Sequence, residues 1–305
     1  MKRKIVITGA TGLIGGEICR KLHEKGDEIT IFTRGVNKGR ALFPFLNNII
    51  EWDYNKPETW RNELNGKDAI IHLAGANVFG ERWSSRYKRI IMESRRGATR
   101  NLVESIGLIN NRPKVFISSS AVGYYGSNGD EELTEGSPAG TDFLSTVCQE
   151  WEYEAKQVER YGVRRVSIRT GIVLSAEEGA LKRMLLPYKM FAGGSLGRGG
   201  QWFPWIHIDD IVNVYLYALE NELAGEINGT SPNPVTMKEF ARTLGKVLHR
   251  PSFLSVPEFI IKLAVGEGAE SILSSLRVMP QKLIKNSFKF KYEHLEPALI
   301  SLLKI

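Results

Sequence analysis

A glycine-rich turn near the start of the chain limits what the rest of it can fold into. Gly9, Gly12 and Gly15 follow a short apolar, β-branched run and precede a helix-like stretch at residues 17–25. A second apolar run, at residues 27–32, completes a β-α-β pattern. Glycines at a strand-to-helix turn allow a tight backbone path and the close approach of a pyrophosphate, whose charge faces the helix N-terminus. The sequence therefore predicts a nucleotide-binding β-α-β unit.

Strand and helix patterns continue to alternate after this unit. Apolar strand candidates lie at residues 48–52, 69–73, 115–118 and 165–168, and amphipathic helices are predicted at residues 87–106 and 144–161. Alternating β and α segments form a parallel sheet that is covered on both faces. We predict an α/β fold, a Rossmann-like doubly wound parallel sheet built by residues 1–170, with its ligand at the carboxyl ends of the strands.

The regular pattern fades after about residue 170. It is followed by a glycine-rich loop at 193–200, a helix that ends near Leu219, a short strand from Gly225, a helix at 237–248 with Thr236 as its N-cap, two further helix-like runs, and a strand-like patch at 288–292. We predict that residues 171–305 form a smaller substrate-side region, from which later segments return to the Rossmann domain.

Composition argues against several classes of protein. The chain has 305 residues, 42% of them apolar, which is enough for a sizeable core. No apolar run approaches the roughly 20 residues of a membrane span. The chain enters its first strand directly, without a signal peptide, so we expect a cytoplasmic protein. Two cysteines, Cys19 and Cys148, and the lack of paired histidines argue against a disulfide framework or a metal site.

The formal charge of +7 raises the question of nucleic-acid binding. The cations are scattered among acids, as around Arg86, Lys88 and Arg89, and no nucleic-acid-binding motif is present. We interpret the charge as a solvated surface whose excess partly serves an anionic ligand. The expected partners are a small-molecule substrate and a second copy in a homodimer, with no nucleic acid and no membrane.

The end of the second strand indicates which dinucleotide is bound. A site for NAD usually has a carboxylate here, which accepts a hydrogen bond from the ribose 2′-hydroxyl. This chain has Thr33 and Arg34 instead, and a cation suits the 2′-phosphate of NADP(H). Lys38 and Arg40 are further cations on the following segment. The alternative is that Arg34 is an ordinary surface arginine.

Polar or small residues follow the next strands as well. Asp53 could accept a hydrogen bond from the adenine amino group, or it could be an exposed turn residue. The run HLAGANV at residues 72–78 ends a strand in small side chains, which let the backbone pass close to a ligand, although a plain strand end would look the same. The run SSSAVGYYG at residues 118–126 places hydroxyls and phenols where they could bond a carbonyl or alcohol of the substrate.

These motifs together resemble an extended short-chain dehydrogenase/reductase. The resemblance rests on TGATGLIG, HLAGAN, SSSAVGYYG and RTGIVLS. The runs RTGIVLS, GGSLGRGGQWFPWIHIDD and NGTSPNPVT narrow it to the atypical, sugar-nucleotide-epimerase-like family of the YfcH kind, over essentially the whole chain. This resemblance implies a Rossmann fold, an NADP-type cofactor and an activity as an NAD(P)-dependent epimerase or oxidoreductase.

The resemblance also assigns residues to the cofactor. It places the phosphates on Gly9, Gly12, Leu13, Ile14 and Gly15, the adenosine phosphate on Thr33 and Arg34, strand-end contacts on Leu73 and Ala74, and further contacts on Arg95 and Val173. Thr11, inside the turn, and Gly75, directly after Ala74, join this predicted set. Taken alone, Arg95 could be an exposed helix arginine and Val173 a core residue.

The usual catalytic pair of the short-chain dehydrogenases is missing. A Tyr-x-x-x-Lys motif should lie on the helix after the fourth of the regular strands, where the lysine lowers the pKa of the phenol that moves the proton. Here Val147 and Trp151 stand at these positions. The replacements that we consider first are Ser120 and Tyr125, and the others are Ser119, Tyr124, Cys148 and Glu152. Cys148 is more typical of a buried residue, and Glu152 of an exposed helix carboxylate.

The pair His207 and Asp209, in the run WIHIDD, could act as a base with its orienting carboxylate. A structural role between the substrate-side region and the sheet is the favoured interpretation.

Two functions remain open from the sequence. The first is an NADP(H)-dependent oxidoreductase or epimerase acting on an unknown carbonyl or sugar-like substrate. The second is a non-catalytic NADPH-binding sensor or interaction module, which the loss of the Tyr-Lys pair favours.

Overall fold

The computed structural model describes residues 2–304. Seven parallel strands form the central sheet: β1 (Lys4–Thr8), β2 (Glu28–Thr33), β3 (Asn48–Glu51), β4 (Ala69–His72), β5 (Val115–Ala121), β6 (Arg164–Thr170) and β7 (Gly225–Gly229). Their order is β3-β2-β1-β4-β5-β6-β7. Strand order reverses beside β1, as in dinucleotide-binding sheets. The predicted α/β, Rossmann-like doubly wound fold is confirmed.

Helices cover both faces of this sheet. The helices of the described chain are α1 (Leu13–Glu24), α2 (Val36–Leu42), α3 (Ser85–Glu93), α4 (Arg96–Gly107), α5 (Phe143–Lys156), α6 (Gly179–Lys189), α7 (Ile208–Glu220), α8 (Met237–Leu248), α9 (Glu258–Val265), α10 (Ala269–Leu273), α11 (Gln281–Lys285) and α12 (Leu295–Leu303). Short 3-10 turns lie at Pro57–Thr59, Arg61–Leu64, Val122–Tyr125, Gln157–Tyr161 and Gly266–Gly268. Helices α1 and α7 pack on one face, and α4 and α5 on the other.

Burial on two faces explains why the strands are apolar at nearly every position. In β1, Ile5 and Ile7 pack toward α1 and α7, whereas Val6 packs toward α4. Successive side chains of a strand point to opposite faces, so a strand with helices on both sides has no solvent face to reserve for polar residues. A third apolar cluster, formed by α6, α8 and α12, supports the part of the chain beyond the sheet.

Two predicted elements differ from those observed. The single helix predicted at residues 87–106 is two helices, α3 and α4, separated at Ser94 and Arg95. The hydroxyl of Ser94 donates to the Ile91 carbonyl at 3.1 Å and accepts from the Ala76 N–H at 3.0 Å, so it ties the break to the chain after β4. The strand-like patch at residues 288–292 is not a strand. Side-chain oxygen atoms, and not a neighbouring strand, accept hydrogen bonds from two of its backbone N–H groups.

Segments beyond residue 170 fasten themselves to the sheet and to one another. Two short parallel pairings, Gly194–Leu196 with Leu254–Val256 and Glu132–Leu133 with Arg277–Val278, bring distant parts of the chain together. Further pairs are formed by Ile172–Leu174 with Trp205–His207 and by Trp202–Phe203 with Val235–Thr236. Thr236 caps α8 as predicted, in a capping box with Glu239. The patch at 288–292 is held by Asp210, whose carboxylate accepts the N–H groups of Lys291 and Tyr292 at 2.7 and 2.9 Å.

Two negative findings apply to the described part of the chain. Among residues 2–304, no helix combines the length and apolar character needed to cross a membrane. In the same range, no group of three or more His, Cys, Asp or Glu side chains is arranged to hold a metal ion.

Candidate functional site

The glycine turn closes against the end of β4. Gly9 has a φ of +72°, and a Cβ on it would lie 2.7 Å from the Leu73 carbonyl carbon and 2.8 Å from the Ala74 nitrogen. A Cβ on Gly15 would lie 2.5 Å from the Gly9 carbonyl oxygen. Both neighbours are backbone, so neither position has room for a side chain.

Helix α1 begins at this turn and points its N-terminus outward. Gly12 is its N-cap, with no side-chain cap and no acidic residue in the first turn. The first N–H groups of a helix have no partner within the helix, and the helix dipole makes this end attractive to anions. Leu13 and Ile14 supply the first of these N–H groups, and their side chains pack against the core, while Thr11 is half-buried. The turn can therefore cradle a pyrophosphate.

A free cation lies beside the turn, at the end of β2. Because β1 and β2 are parallel and adjacent, their carboxyl ends meet at the same edge of the sheet. Thr33 is buried and its hydroxyl accepts the Gly35 N–H at 3.2 Å. Arg34 is exposed, and no carboxylate of residues 2–304 lies within 4.0 Å of its guanidinium. This geometry suits a phosphate on the adenosine ribose.

Asp53 follows β3 and has local partners. Its carboxylate accepts the Asn55 N–H at 3.0 Å and lies 3.9 Å from the Lys56 ammonium. Its backbone carbonyl accepts the Trp60 indole N–H at 2.8 Å. These bonds define an exposed turn, the alternative that the sequence had left open, while a contact to adenine stays a prediction.

Arg95 is the second cation at the cradle. It lies in the break between α3 and α4, and a Cβ on Gly75 would be 3.1 Å from its guanidinium carbon. The guanidinium stacks on the Trp151 ring at 5.1 Å and donates to the Ile91 carbonyl at 3.2 Å. Burial lowers the pKa of Arg95 from its ordinary value. Within the described residues, no carboxylate pairs with it.

The two positions of the missing catalytic pair have become structural. Val147 is buried with Tyr87 and Ile91, and Trp151 carries the Arg95 guanidinium on its ring. A positive charge therefore remains close to the place that the lysine would occupy, but it comes from the break between α3 and α4.

Ser120 and Tyr125 point into a buried polar network below the strand ends. Ser120 is the register partner of Arg169 across β5 and β6, and its hydroxyl donates to the Glu152 carboxylate at 2.7 Å. Arg169 donates to the same carboxylate through Nε at 2.9 Å and Nη2 at 2.8 Å. Tyr125 donates to Asn228 Oδ1 at 2.6 Å and accepts from Arg169 Nη1 at 3.0 Å.

Charge and burial set the chemistry of this network. Burial raises the pKa of Tyr125 to about 12. Burial also opposes the charge on Arg169, but its bonds to Glu152 outweigh this and raise its pKa. The expectation of an exposed Glu152 is wrong: 8% of the residue is exposed, because Arg169 and Ser120 meet it from two neighbouring strands. Cys148 is buried as expected, and burial raises its pKa to about 12.

His207 and Asp209 have structural roles. The Nδ1 atom of His207 accepts the Asp209 N–H at 2.9 Å and thereby caps α7. Asp209 pairs with Lys291 at 2.7 Å. Burial lowers the pKa of His207 to about 4, so the ring is neutral near pH 7.

A cavity of about 1290 Å³ opens beside the cradle, beyond the ends of β5 and β6. Its sheet side is formed by Ala121 to Gly123 and by Thr170 to Ile172. Gly179 connects it to the cradle, because a Cβ there would contact the Leu13 side chain at 3.8 Å and the Val173 carbonyl at 3.7 Å. The opposite wall comes from residues 256–276. The sequence assigned this part of the chain to the substrate-side region, but no motif there indicates which of its residues line a site.

Comparison with known proteins identifies a matching family and similar sequences. Residues 5–230 match the NAD dependent epimerase/dehydratase family, and residues 256–302 match a domain of unknown function, DUF1731. The chain is 40% identical to the "Epimerase family protein SDR39U1 homolog, chloroplastic" of Arabidopsis thaliana, across 98% of this chain and 86% of that protein. It is 39% identical to the epimerase family protein YfhF of Bacillus subtilis, across 98% and 97%.

Solved structures agree with these similarities. The crystal structure of human epimerase family protein SDR39U1 (isoform 2) with NADPH superposes with a TM-score of 0.88, at 29% identity over 99% of both chains. A UDP-N-acetylglucosamine 4-epimerase from Bacillus cereus superposes with a TM-score of 0.77 over 99% of both chains. At 18% identity, the latter similarity is one of fold.

Proposed function

This chain belongs to the NAD dependent epimerase/dehydratase family, and we propose that it binds NADPH and uses it to reduce a carbonyl compound held in the adjoining cavity. The observation that carries the proposal is the pair Arg34 and Arg95, two cations without carboxylate partners in the described chain, on either side of a glycine turn. The NADPH in the crystal structure of the human relative supports the choice of cofactor.

Each part of the cradle has a role toward the cofactor. The turn from Gly9 to Gly15 and the start of α1 would bind the pyrophosphate, and Arg34 the 2′-phosphate. Arg95, next to Gly75, would bind on the side of the nicotinamide ribose, where Leu73 and Ala74 end β4. Val173 would line the nicotinamide. Asp53 and Thr33 complete the proposed contacts on the adenosine side.

Bound NADPH supplies a hydride for the carbonyl carbon, and the carbonyl oxygen then needs a proton from the protein or from water. Ser120 and Tyr125 remain the proposed proton groups. The Ser120 hydroxyl is already polarised by Glu152, and Arg169 holds that carboxylate in place. Burial keeps Tyr125 protonated, and Tyr125 lines the cavity, so its phenol would have a proton to offer there.

A second function is favoured by one observation, namely that both proposed proton groups already have partners inside the protein. The chain would then bind NADPH without turning over a substrate. Assays that follow the oxidation of NADPH with a panel of aldehydes and ketones distinguish the two functions. Turnover that is lost in Ser120→Ala but kept in Ser118→Ala supports catalysis, and no turnover with any compound supports the binding module.

The cofactor choice is tested by Arg34→Asp. We expect NADPH affinity to fall tenfold or more, since a charge-assisted hydrogen bond contributes about 1.5–3 kcal/mol, while NADH affinity changes little. Arg160→Asp is the matched control, because Arg160 is exposed in the 3-10 turn Gln157–Tyr161, which follows α5 and lies away from the cradle. Equal losses for both cofactors in Arg34→Asp would mean that Arg34 does not bind the 2′-phosphate.

Setting and assembly are part of the proposal. The two thiols are free and buried, which fits a reducing compartment such as the cytoplasm. A homodimer is the expected assembly. Many surface cations are paired with acids, so we expect no nucleic-acid binding. Cell fractionation, sedimentation equilibrium and heparin chromatography test these three points.

A further inference from the structure

The cavity is lined mainly by apolar and aromatic side chains. Trp83, Phe143, Trp202 and Phe203 form aromatic surfaces, and the remaining wall is largely aliphatic, glycine and proline. No residue of the turn from Gly9 to Gly15 lines it, so its volume is additional to the cradle. The free energy of binding to an apolar wall of this size becomes more favourable as the ligand removes more apolar area from water.

The charged residues of the cavity leave little for an anion. Its cations are Lys88 and Arg183, against the carboxylates of Asp142, Glu267 and Glu270, a formal balance of −1. Lys88 forms an ion pair with Glu267 and lies over the Trp83 and Phe143 rings at 5.8 and 5.4 Å. Arg183 is the cation that remains, and it is exposed on α6.

The outer surface of the same walls is also apolar. Helix α6, which contributes Met184 and Pro187 to the cavity, exposes Leu186 and Met190 to 62% and 70%. The segment that contributes Val256 and Val265 also exposes large apolar side chains, namely Phe253, Leu254, Phe259, Ile260 and Leu263. Large exposed apolar surfaces occur at ligand-binding grooves as well as at interaction sites, so these side chains are consistent with an apolar ligand.

We propose that the cavity binds an uncharged, largely apolar carbonyl compound, and not a nucleoside diphosphate sugar. The inference rests on the proposed function for the carbonyl group alone; the apolar character follows from the walls. A diphosphate brings about two negative charges, and a net acidic lining with one unpaired, exposed arginine would not compensate for their lost hydration. An alkyl or aromatic body, in contrast, would bury its apolar surface against these walls.

Binding of straight-chain 2-alkanones to the full chain tests the inference independently of turnover. The neutral dye Nile red serves as the bound probe, and its displacement by each alkanone is measured in the presence and in the absence of NADPH. We expect the alkanone affinity to rise by up to about fourfold for each added methylene, and UDP-glucose to leave the dye in place. Displacement by UDP-glucose that weakens in Arg183→Gln, or affinities independent of alkanone length, would overturn the inference.

A variant places the ligand in this cavity. Ile272 lines the wall and is half-buried, so Ile272→Glu adds a charge there and should weaken the longest alkanone at least tenfold, with NADPH affinity unchanged. Ile284→Glu is the matched control, since Ile284 lies on α11, is 48% exposed and does not line the cavity. Equal effects of the two variants would contradict the assignment. If the unmodified protein does not bind NADPH, the proposed function is contradicted instead. The affinities of the alkanone series measured without NADPH would still test the apolar character of the cavity's ligand.

Discussion

Replacing Glu152 by glutamine should destabilise the protein strongly, although the two side chains have nearly the same size. The carboxylate accepts three hydrogen bonds, from Ser120 at 2.7 Å and from Arg169 at 2.9 and 2.8 Å. Arg169 is 3% exposed, so its charge would stay buried without a counter-ion. Removing one partner of a buried ion pair typically costs about 3–5 kcal/mol. Because the amide keeps part of the hydrogen bonding, we expect about 3 kcal/mol.

Urea denaturation, followed by tryptophan fluorescence, measures this loss as a change in the free energy of unfolding. Thermal denaturation should show a fall in Tm of about 5 °C, since an unfolding entropy of roughly 2.1 cal/mol/K per residue over 305 residues gives about 1.6 °C for each kcal/mol. Glu150→Gln is the control on the same helix, since Glu150 lies 3.6 Å from Arg96 and both side chains are at least a third exposed. Solvent screening limits that pair to less than about 1 kcal/mol.

Two outcomes separate the ion pair from simple loss of packing. The double variant Glu152→Gln, Arg169→Met removes the uncompensated charge and should recover part of the stability, because a buried pair can often be replaced by apolar groups at little cost. If Glu152→Gln is no more destabilising than Glu150→Gln, the reasoning about the buried charge is refuted.

Two further predictions concern the cradle and its surroundings. Gly15→Ala should weaken NADPH at least tenfold in a fluorescence titration, because its Cβ would lie 2.5 Å from the Gly9 carbonyl oxygen; Gly16→Ala, whose nearest neighbour would be 3.5 Å away, should bind normally, and equal behaviour of the two would contradict the close approach. Burial, aided by Arg95, lowers the pKa of His72 to about 3, so between pH 6.5 and that value only the unfolded state takes up a proton. Stability is therefore lost as the pH falls, by about 1.7 kcal/mol from pH 6.5 to 5.0 for this one group. Urea denaturation at both pH values should show a smaller loss in His72→Gln than in the exposed control His23→Gln, and an unchanged loss would be evidence against a neutral His72.

The fold and the cradle could be predicted because their signals are local. The turn from Gly9 to Gly15 carries its meaning in seven consecutive residues, and the strands carry theirs in apolar runs that helices cover on both faces. The position of Arg34 then follows from the end of β2. None of these inferences depends on contacts between residues that are far apart in the sequence.

The parts that could not be predicted depend on distant contacts. The burial of Glu152 requires Ser120 and Arg169 to be register partners in neighbouring strands, below the helix that carries the carboxylate. The break before α4 depends on the hydroxyl of Ser94 bonding the chain after β4, although the periodicity of residues 87–106 is that of one helix. The patch at 288–292 has the composition of a strand, but Asp210 takes the N–H groups of Lys291 and Tyr292.

The far wall of the cavity has a consequence for the order in which the protein matures during synthesis. Every proposed cofactor contact lies at or before Val173, whereas the wall extends to Leu276. A ribosome needs roughly 5–20 s to add the intervening 103 residues. The nascent chain therefore has the cradle's residues well before it can enclose a substrate. The chamber that would hold a substrate is therefore completed after the cradle, and a chain truncated before residue 256 would keep the cradle's sequence without a closed chamber.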